Sequence, residues 1–578
     1  MIDLNSEIIL KEKAIIWGAS ENGRSACKLL RNHYDILFVC DSDEKRRGEL
    51  FEGYMIEPPK SVLDYPKALI IIAVVKKYNS IIDYLVKNKR TNIFHFISYY
   101  SFRTGAREYR LYGIELYKKY KLTSSLIEKD SCWSERKNTV PKKIAIFANL
   151  FPPVGGGGVQ RPAKFAKYLK RMGYEPVIIS KGYCDSFLGL DWTLLDDLSN
   201  IQIIRILEAP ITQEELGKDD VQLLCEIMNS LGLGHDWVKR YFDDLRDRKT
   251  DIIPDQDIMW AISCINSIGK EIDLAEFSLV YTTIGPYSSA LIGFYLKCKY
   301  GIKWILDYRD PWCLNDFNMK TFYQYRLNRW DFEKQLELAL LNEADYVTTA
   351  SNEERKDFKN YDLAVDACCI TNGYDEDDFS ELIVNETHDF EIVYNGFIYE
   401  HYELVEFVEL LTCMIDEGLV DKSIHFCLNS PNLDKYIARI KVVDRYGVVK
   451  SNGYLPHCES LQKILQANIL LVFGAYGEGA YGMYTGKIFE YLRAGVPIIS
   501  FSSPYGVHYE MIEMQGRGIT ATMDDQEKIK GFICNIYRQW KLGHTIKYST
   551  NDPYVQSFSR ECLTKQLIEV IENILCSE

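Results

Sequence analysis

Short runs of almost unbroken apolar residues alternate along the chain with longer stretches whose apolar positions recur at helical spacing. This is the pattern of parallel strands joined by helices. Between residues 13 and 100 the runs are KAIIW (13–17), ILFVC (36–40), ALIIIA (68–73) and NIFHFI (92–97). A second series comprises KIAIFANL (143–150), PVIIS (176–180), IQIIRI (201–206), SLVYTT (278–283), KWILDY (303–308) and DYVTTAS (345–351). After Thr371-Asn372-Gly373 a third begins: EIVYNG (391–396), IHFCLN (424–429), GVVKSNG (447–453), ILLVFG (469–474), PIISF (497–501) and RGITAT (517–522). Strands apolar at successive rather than alternate positions belong to sheets covered on both faces. The expected fold class is α/β: a small parallel module over 1–100, doubly wound domains over 142–372 and 373–552, and a C-terminal helix in 553–578 packing back toward the first of these two.

Two stretches interrupt the alternation. Residues 101–140 carry nine Lys/Arg against five Asp/Glu, with tyrosines at 109, 112, 117 and 120, and read as a helical linker extending to residue 141. A basic, tyrosine-bearing helix over 103–121 could lie on an anionic membrane; packing of its aromatics on a neighbouring domain is the commoner use. Residues 212–262 form a polar, helix-rich insertion ending in IIPDQDIMW (252–260).

Composition narrows the function. The 578 residues suggest roughly three to four domains at about 100–200 residues each. A formal net charge of -14 has the wrong sign for general nucleic-acid binding, so no nucleic-acid partner is expected. The opening residues MIDLNSEIILKEKAIIWG lack a basic lead and a small-residue cleavage site, so export is not expected. No apolar run approaches the about 18 residues of a membrane span. The 16 cysteines show no C-x-x-C or zinc spacing, which fits reduced thiols in a cytoplasmic protein with no metal site.

Four loops follow apolar runs and carry candidate chemistry. In the first module, Gly18, Ser20 and Gly23 lie between the first run and a helix pattern, and Asp41 ends the next run. That order suits a nucleotide, with phosphate at the helix N-terminus and the acid on a ribose hydroxyl; a tight turn alone would use the same glycines. FPPVGGGGVQRP (151–162) places four glycines, Gly156 and Gly157 among them, before a helix expected to open near Val159, with Pro162 in its first turn and Arg161 as a nearby charge. Such a loop lets a ligand approach the backbone. LDYRDPW (306–312) offers Arg309 and Asp310, which could equally pair with each other. The richest is GAYGEGAYGMYTGKIFEYLRAGVPIIS (474–500): Thr485 as N-cap, Gly486, then Lys487 and Glu490 on one helix face. Lys487 could neutralise a pyrophosphate and Glu490 could accept from ribose hydroxyls; the plain alternative is a surface Lys–Glu pair.

Together the segments 151–169, 253–260, 306–312, 371–379 (TNGYDEDDF), 452–461 (NGYLPHCESL) and 485–499 resemble, in order, the family 4 glycosyltransferases of the GT-B class. The resemblance covers about 142–578 and implies twin Rossmann-like domains, the second holding a nucleotide-sugar donor and the first approached by the acceptor. It implies sugar transfer with retention of configuration, with no cofactor and no obligatory metal. By position, Glu490 corresponds to the ribose-binding glutamate, Lys487 to a lysine at the phosphates, and Gly156 and Gly157 to the loop approaching donor and acceptor. Arg161, Gly486 and Glu478 join the donor site, and Lys487, Arg309 and Asp310 are the candidates for catalysis. Two departures stand out: Gly482 occupies the place of a sugar-binding glutamate, with Glu478 a candidate substitute, and NGFIYEHYE (395–403) lacks the family's Arg and Lys.

The module at 11–100 separately resembles the small Rossmann-like nucleotide-binding domains that precede sugar acyltransferases, through WGASENG (17–23) and CDSDEKRRGELFEGYMI (40–56). The glycosyltransferase resemblance, with no signal peptide expected, points to a glycan or lipid-linked acceptor in surface polysaccharide biosynthesis and to a cytoplasmic location, with peripheral attachment at the inner membrane face left open. A non-catalytic nucleotide-sugar sensor is the competing reading. Nicotinamide chemistry in the first module ranks last, because residues 1–140 contain no S-Y-x-x-x-K.

Overall fold

A computed structural model describes residues 13–74, 81, 84–85, 87–88, 90, 93–101, 106–114, 142–182, 190–207, 218–233, 254–255, 257–312, 327–352, 358, 365–380, 382, 389–399, 402–474, 482–503 and 505–576. The chain divides into two compact units: residues 1–124 with 316–338 and 356–364, and the remainder.

In the first unit, strands β1 (Lys13–Trp17), β2 (Asp35–Cys40), β3 (Leu50–Phe51), β4 (Tyr54–Glu57), β5 (Leu69–Ile72), β6 (Ile93–Ser101) and β7 (Ala106–Ile114) form one sheet in the order β3-β4-β2-β1-β5-β6-β7. The central strands are parallel, whereas β3 and β7 run antiparallel to their neighbours. The helix expected from residue 101 is therefore corrected over 106–114. AREYRLYGI pairs as a hairpin strand with β6, from Ile93 opposite Ile114 to Ser101 opposite Ala106. Its tyrosines fit helical spacing, but its β-prone residues also fit a strand, and an adjacent strand end offered the pairing. Residues 115–141 lie outside the described residues.

The second unit holds two further sheets. Strands β8 (Lys143–Phe147), β9 (Glu175–Lys181), β10 (Gln202–Ile206), β11 (Leu279–Thr283), β12 (Lys303–Tyr308), β13 (Tyr346–Thr349) and β14 (Ala367–Cys369) lie in the order β10-β9-β8-β11-β12-β13-β14, all parallel. Strands β15 (Phe390–Asn395), β16 (Ile424–Asn429), β17 (Val449–Lys450), β18 (Ile469–Phe473), β19 (Ile498–Phe501) and β20 (Gly518–Ala521) lie in the order β17-β16-β15-β18-β19-β20, also all parallel. Both sheets have the doubly wound Rossmann order, reversing direction beside their first strand, so each opens a crevice at the carboxyl ends of β8/β11 and of β15/β18. The α/β fold with twin Rossmann-like sheets follows from these strand orders.

Helix α1 (Glu21–Leu30) lies in the first unit, and α2 (Gly157–Arg171), α3 (His457–Gln466), α4 (Gly486–Ala494) and α5 (Arg560–Cys576) lie in the second. Leu563, Leu567, Val570, Ile571 and Ile574 line one face of α5 and pack with Phe165 and Leu169 of α2 and with Ile144 and Ile146 of β8. Each such burial is worth about 1.5–3 kcal/mol at most, so α5 holds firmly to the first sheet although it follows the second. The chain crosses between the halves at 371–375 and returns at 558–560. There Tyr374 N–H donates to Phe558 O at 3.1 Å and Arg560 N–H to Tyr374 O at 2.8 Å. Among the described residues no helix is long and apolar enough to cross a membrane.

Candidate functional site

The loop after β8 begins with the tetraglycine segment, and the sequence explains why a helix starts inside it. Gly156 adopts φ +103, and α2 opens at Gly157 with no side-chain cap, two residues before the expected start. Pro162 therefore falls in the second turn. Having no N–H, it leaves the Gly158 carbonyl without its helical partner. Arg309, at the carboxyl end of β12, supplies one: its Nη1 donates to Gly158 O at 2.9 Å and its Nη2 to Gly285 O at 2.9 Å. A Cβ at Gly158 would stand 2.2 Å from Arg309 Nη1, so the glycine makes room for the protein's own guanidinium. Arg309 braces two crevice loops, and Asp310 beside it is half-exposed, 3.2 Å from Arg309 Nε.

Arg161 requires a correction. It is fully buried, with Nη2 2.7 Å from Asp307 Oδ1, Nε 2.9 Å from Oδ2, and Nη1 donating to Ile370 O at 2.7 Å and Thr371 O at 3.0 Å. Burial alone would raise the Asp307 carboxyl, but Arg161 outweighs it and holds Asp307 below the usual range. The charge expected at a donor phosphate instead ties α2 to β12 and to the crossing segment.

Lys164 and Lys167, further along α2, are also buried. Lys164 Nζ lies 2.6 Å from Asp197, 2.7 Å from Asp375 and 2.6 Å from Asp378; Lys167 Nζ lies 2.8 Å from Asp197 and 2.7 Å from Asp375. Burial works against the Lys164 charge, yet the three aspartates outweigh it and raise its pKa. Asp197, Asp375 and Asp378 converge closely enough to suggest a cation site, but two ammonium groups already serve them.

In the second sheet, Thr485 precedes α4 in extended conformation without capping it, and its Oγ1 is buried with no partner among the described residues. Nothing stands within 4 Å of where a Cβ would be at Gly486. Lys487 turns back over the Tyr394 ring, 5.1 Å from its centroid, against Gly396. Gly396 has φ +131, and a Cβ there would lie 2.6 Å from the ammonium. No carboxylate among the described residues forms an ion pair with Lys487, and burial pushes its pKa down to about 8, offset only in part by Glu490. The plain alternative, a Lys487–Glu490 surface pair, is not formed: Glu490 Oε1 is 2.9 Å from His457 Nε2. Glu490 retains 22% side-chain exposure, so it is not sealed in the core.

His457 is the residue that reading by motif missed. It stands within NGYLPHCESL, but its partners are distant in sequence. Its backbone N–H donates to Asp191 Oδ2 at 3.1 Å, and its Nδ1 faces Asp378 Oδ2 at 3.9 Å. Burial disfavours its charge, but the Glu490 hydrogen bond and the Glu490 and Asp378 charges prevail and raise its pKa above 6.5. Asp191 also donates its own N–H to Pro153 O at 2.6 Å, so His457 links α4 to the start of the tetraglycine loop. A second approach between the halves lies beyond β15, where burial and then the charge of Asp310 push the Tyr399 phenol up. Glu478 lies outside the described residues.

In the first unit, Ser20 Oγ accepts from Gly23 N–H at 3.5 Å and donates to Ala73 O at 3.2 Å. Asp41 Oδ2 accepts from Ala19 N–H at 2.8 Å and its Oδ1 from Asp43 N–H at 2.9 Å. Gly18 has φ +120, with its N–H donating to Cys40 O at 2.7 Å. These contacts account for the four residues as the fittings of a tight strand-to-helix turn.

A family model described as "C2185-like, N-terminal" matches residues 10–90. No curated protein matches the sequence. Among solved structures, the chain is similar to a sucrose-phosphate synthase from Thermosynechococcus elongatus, at 14% identity and TM-score 0.49, over 76% of this chain and 100% of that one. It is similar to a glycosyltransferase from Rickettsia africae ESF-5 at 16% identity and TM-score 0.45, over 76% and 99% of the two chains. It is also similar to WaaG, a glycosyltransferase involved in lipopolysaccharide biosynthesis, at 12% identity and TM-score 0.44, over 74% and 99%. The strand orders, rather than these likenesses, carry the fold assignment.

Proposed function

We propose that the chain is a GT-B glycosyltransferase of the family 4 type, which moves a sugar with retention from a nucleoside-diphosphate sugar to a glycan or lipid-linked acceptor in surface polysaccharide biosynthesis. The observation that carries this reading is the Lys487 ammonium, partly buried without an ion-pair partner among the described residues, at an uncapped helix N-terminus beside the crevice of the second sheet. An uncompensated buried cation beside free helix N–H groups favours a polyanion. Thr485 Oγ1, also without a partner among the described residues, adds a hydrogen-bond donor, and Glu490 one turn on can accept from a ribose diol.

During transfer, negative charge builds on the departing pyrophosphate while the anomeric carbon becomes cation-like. Lys487 and the first-turn N–H groups of α4 would stabilise the leaving group at the moment the charge appears. Arg309 would act by holding the Gly158 and Gly285 loops that floor the acceptor side. A front-face displacement needs no enzyme nucleophile. Because side-chain and helix charges neutralise the pyrophosphate, turnover is expected to survive EDTA.

The test is calorimetric titration with uridine, guanosine, adenosine and thymidine diphosphate sugars, followed by an assay of nucleoside diphosphate release. Saturable binding and release are expected for at least one donor; no binding to any of them defeats the proposal. Gly482, in place of an acid, favours a second reading as a nucleotide-sugar sensor, for which binding would occur without release.

A further inference from the structure

Glu490 is useful to a ribose only if its carboxylate is held toward the crevice. On a helix, a lysine three residues earlier is its natural partner, and a Lys–Glu pair would occupy both groups. Here Lys487 lies over Tyr394, and Glu490 is held through one oxygen by His457 Nε2 at 2.9 Å. Oε2 of Glu490 makes no hydrogen bond to the described residues.

The imidazole is itself fixed. His457 is the first residue of α3, its N–H is anchored to Asp191, and its other ring nitrogen faces Asp378. Asp378 in turn is held 2.6 Å from Lys164 of α2. The groups around this histidine are thus Glu490 from α4, Asp378 from the helical turn Glu376–Ser380 that follows the crossing segment, Asp191 from the loop after β9 and Lys164 from α2. With its backbone anchored and its two ring nitrogens each facing a carboxylate, the imidazole presents Nε2 to Glu490.

We infer that His457 is a positioning residue for nucleoside recognition: it fixes Glu490 so that Oε2 meets the ribose diol, without touching the donor itself. The assignment rests on the nucleotide-sugar reading above. It goes beyond that reading by dividing the site into a phosphate part that is independent of His457 and a nucleoside part that depends on it.

The test uses the full chain and two probes: the nucleoside diphosphate bound by the wild type, and inorganic pyrophosphate, which lacks a ribose. His457→Ala is expected to weaken nucleoside diphosphate binding about tenfold while leaving pyrophosphate within about twofold, the scale of one charged hydrogen bond. His457→Gln, whose amide can donate from a similar reach, is expected to recover most of the nucleotide affinity. In turnover, KM for the donor should rise in His457→Ala more than kcat falls. Equal loss of both probes in His457→Ala and His457→Gln, as a purely structural role predicts, overturns the assignment, as does loss of neither. Failure of the wild type to bind any nucleoside diphosphate would instead remove the donor reading on which the assignment stands.

Discussion

The two glycine-rich loops of the second unit look alike in sequence and differ in what their cations do. At the loop after β8, Arg161 from its helix and Arg309 from the end of β12 turn inward: one is closed off by Asp307 and two carbonyls, the other by the carbonyls of Gly158 and Gly285. After β18, Lys487 has glycine space and an aromatic ring around it but no ion-pair partner among the described residues. A cation beside a glycine loop is a ligand group only when the fold leaves it unsatisfied. That is decided by residues far along the chain, such as Asp307, 146 positions after Arg161.

This contrast predicts opposite signs for removing the two charges. Arg161→Ala leaves Asp307 charged and buried, hydrogen-bonded to Thr348 but without its counter-ion. It is expected to cost about 3–5 kcal/mol in urea unfolding of the chain. A loss under about 1 kcal/mol, with impaired donor binding, would place Arg161 back at the ligand and end the comparison.

Lys487→Met should do the reverse. The folded pKa of about 8 lies below the ordinary lysine value of 10.5. A base with a depressed folded value favours the fold fully above its unfolded pKa and loses that contribution as the pH falls through the folded one. At pH 7 the charge therefore opposes folding, and Lys487→Met should melt higher than wild type there, with the gap closing above about pH 10.5. Its turnover should drop about 10²–10³-fold, the scale for losing one preorganised charge at a developing anion. Pyrophosphate affinity of the wild type should weaken as the pH rises past about 8. A Lys487→Met chain that turns over normally would sink the phosphate assignment.

How much of this was legible follows the same division. Strands such as ILLVF declare themselves because both faces of a parallel sheet are buried, so every position is apolar. The loops that matter follow those strands, and their place at a reversal of strand order came with them. Partner choice could not be read. Glu490 is held by a histidine 33 residues earlier on another helix, and the bracing of Gly158 by Arg309 depends on where α2 begins. The strand at 106–114 was missed because its tyrosine spacing satisfied a helix as well, and only pairing with β6 decides between them.

The first unit supplies a third glycine turn and the mildest test. Asp41 resembles a ribose-binding acid by position, as Glu490 does, but both its oxygens accept backbone N–H groups of the turn, from Ala19 and Asp43. If it stands with the inward-facing groups, Asp41→Asn keeps one acceptor oxygen and loses the other. The expected cost is about 0.5–1.5 kcal/mol in the unfolding transition of that unit, typical of one hydrogen bond. Heats of nucleoside diphosphate binding to the full chain should be unchanged, because the site at Lys487 and Glu490 has no part in this turn. A second nucleotide stoichiometry in the wild type that disappears in Asp41→Asn would move this turn to the ligand-facing class. It would also show that the glycine order of the first module, and not only its packing, carries function.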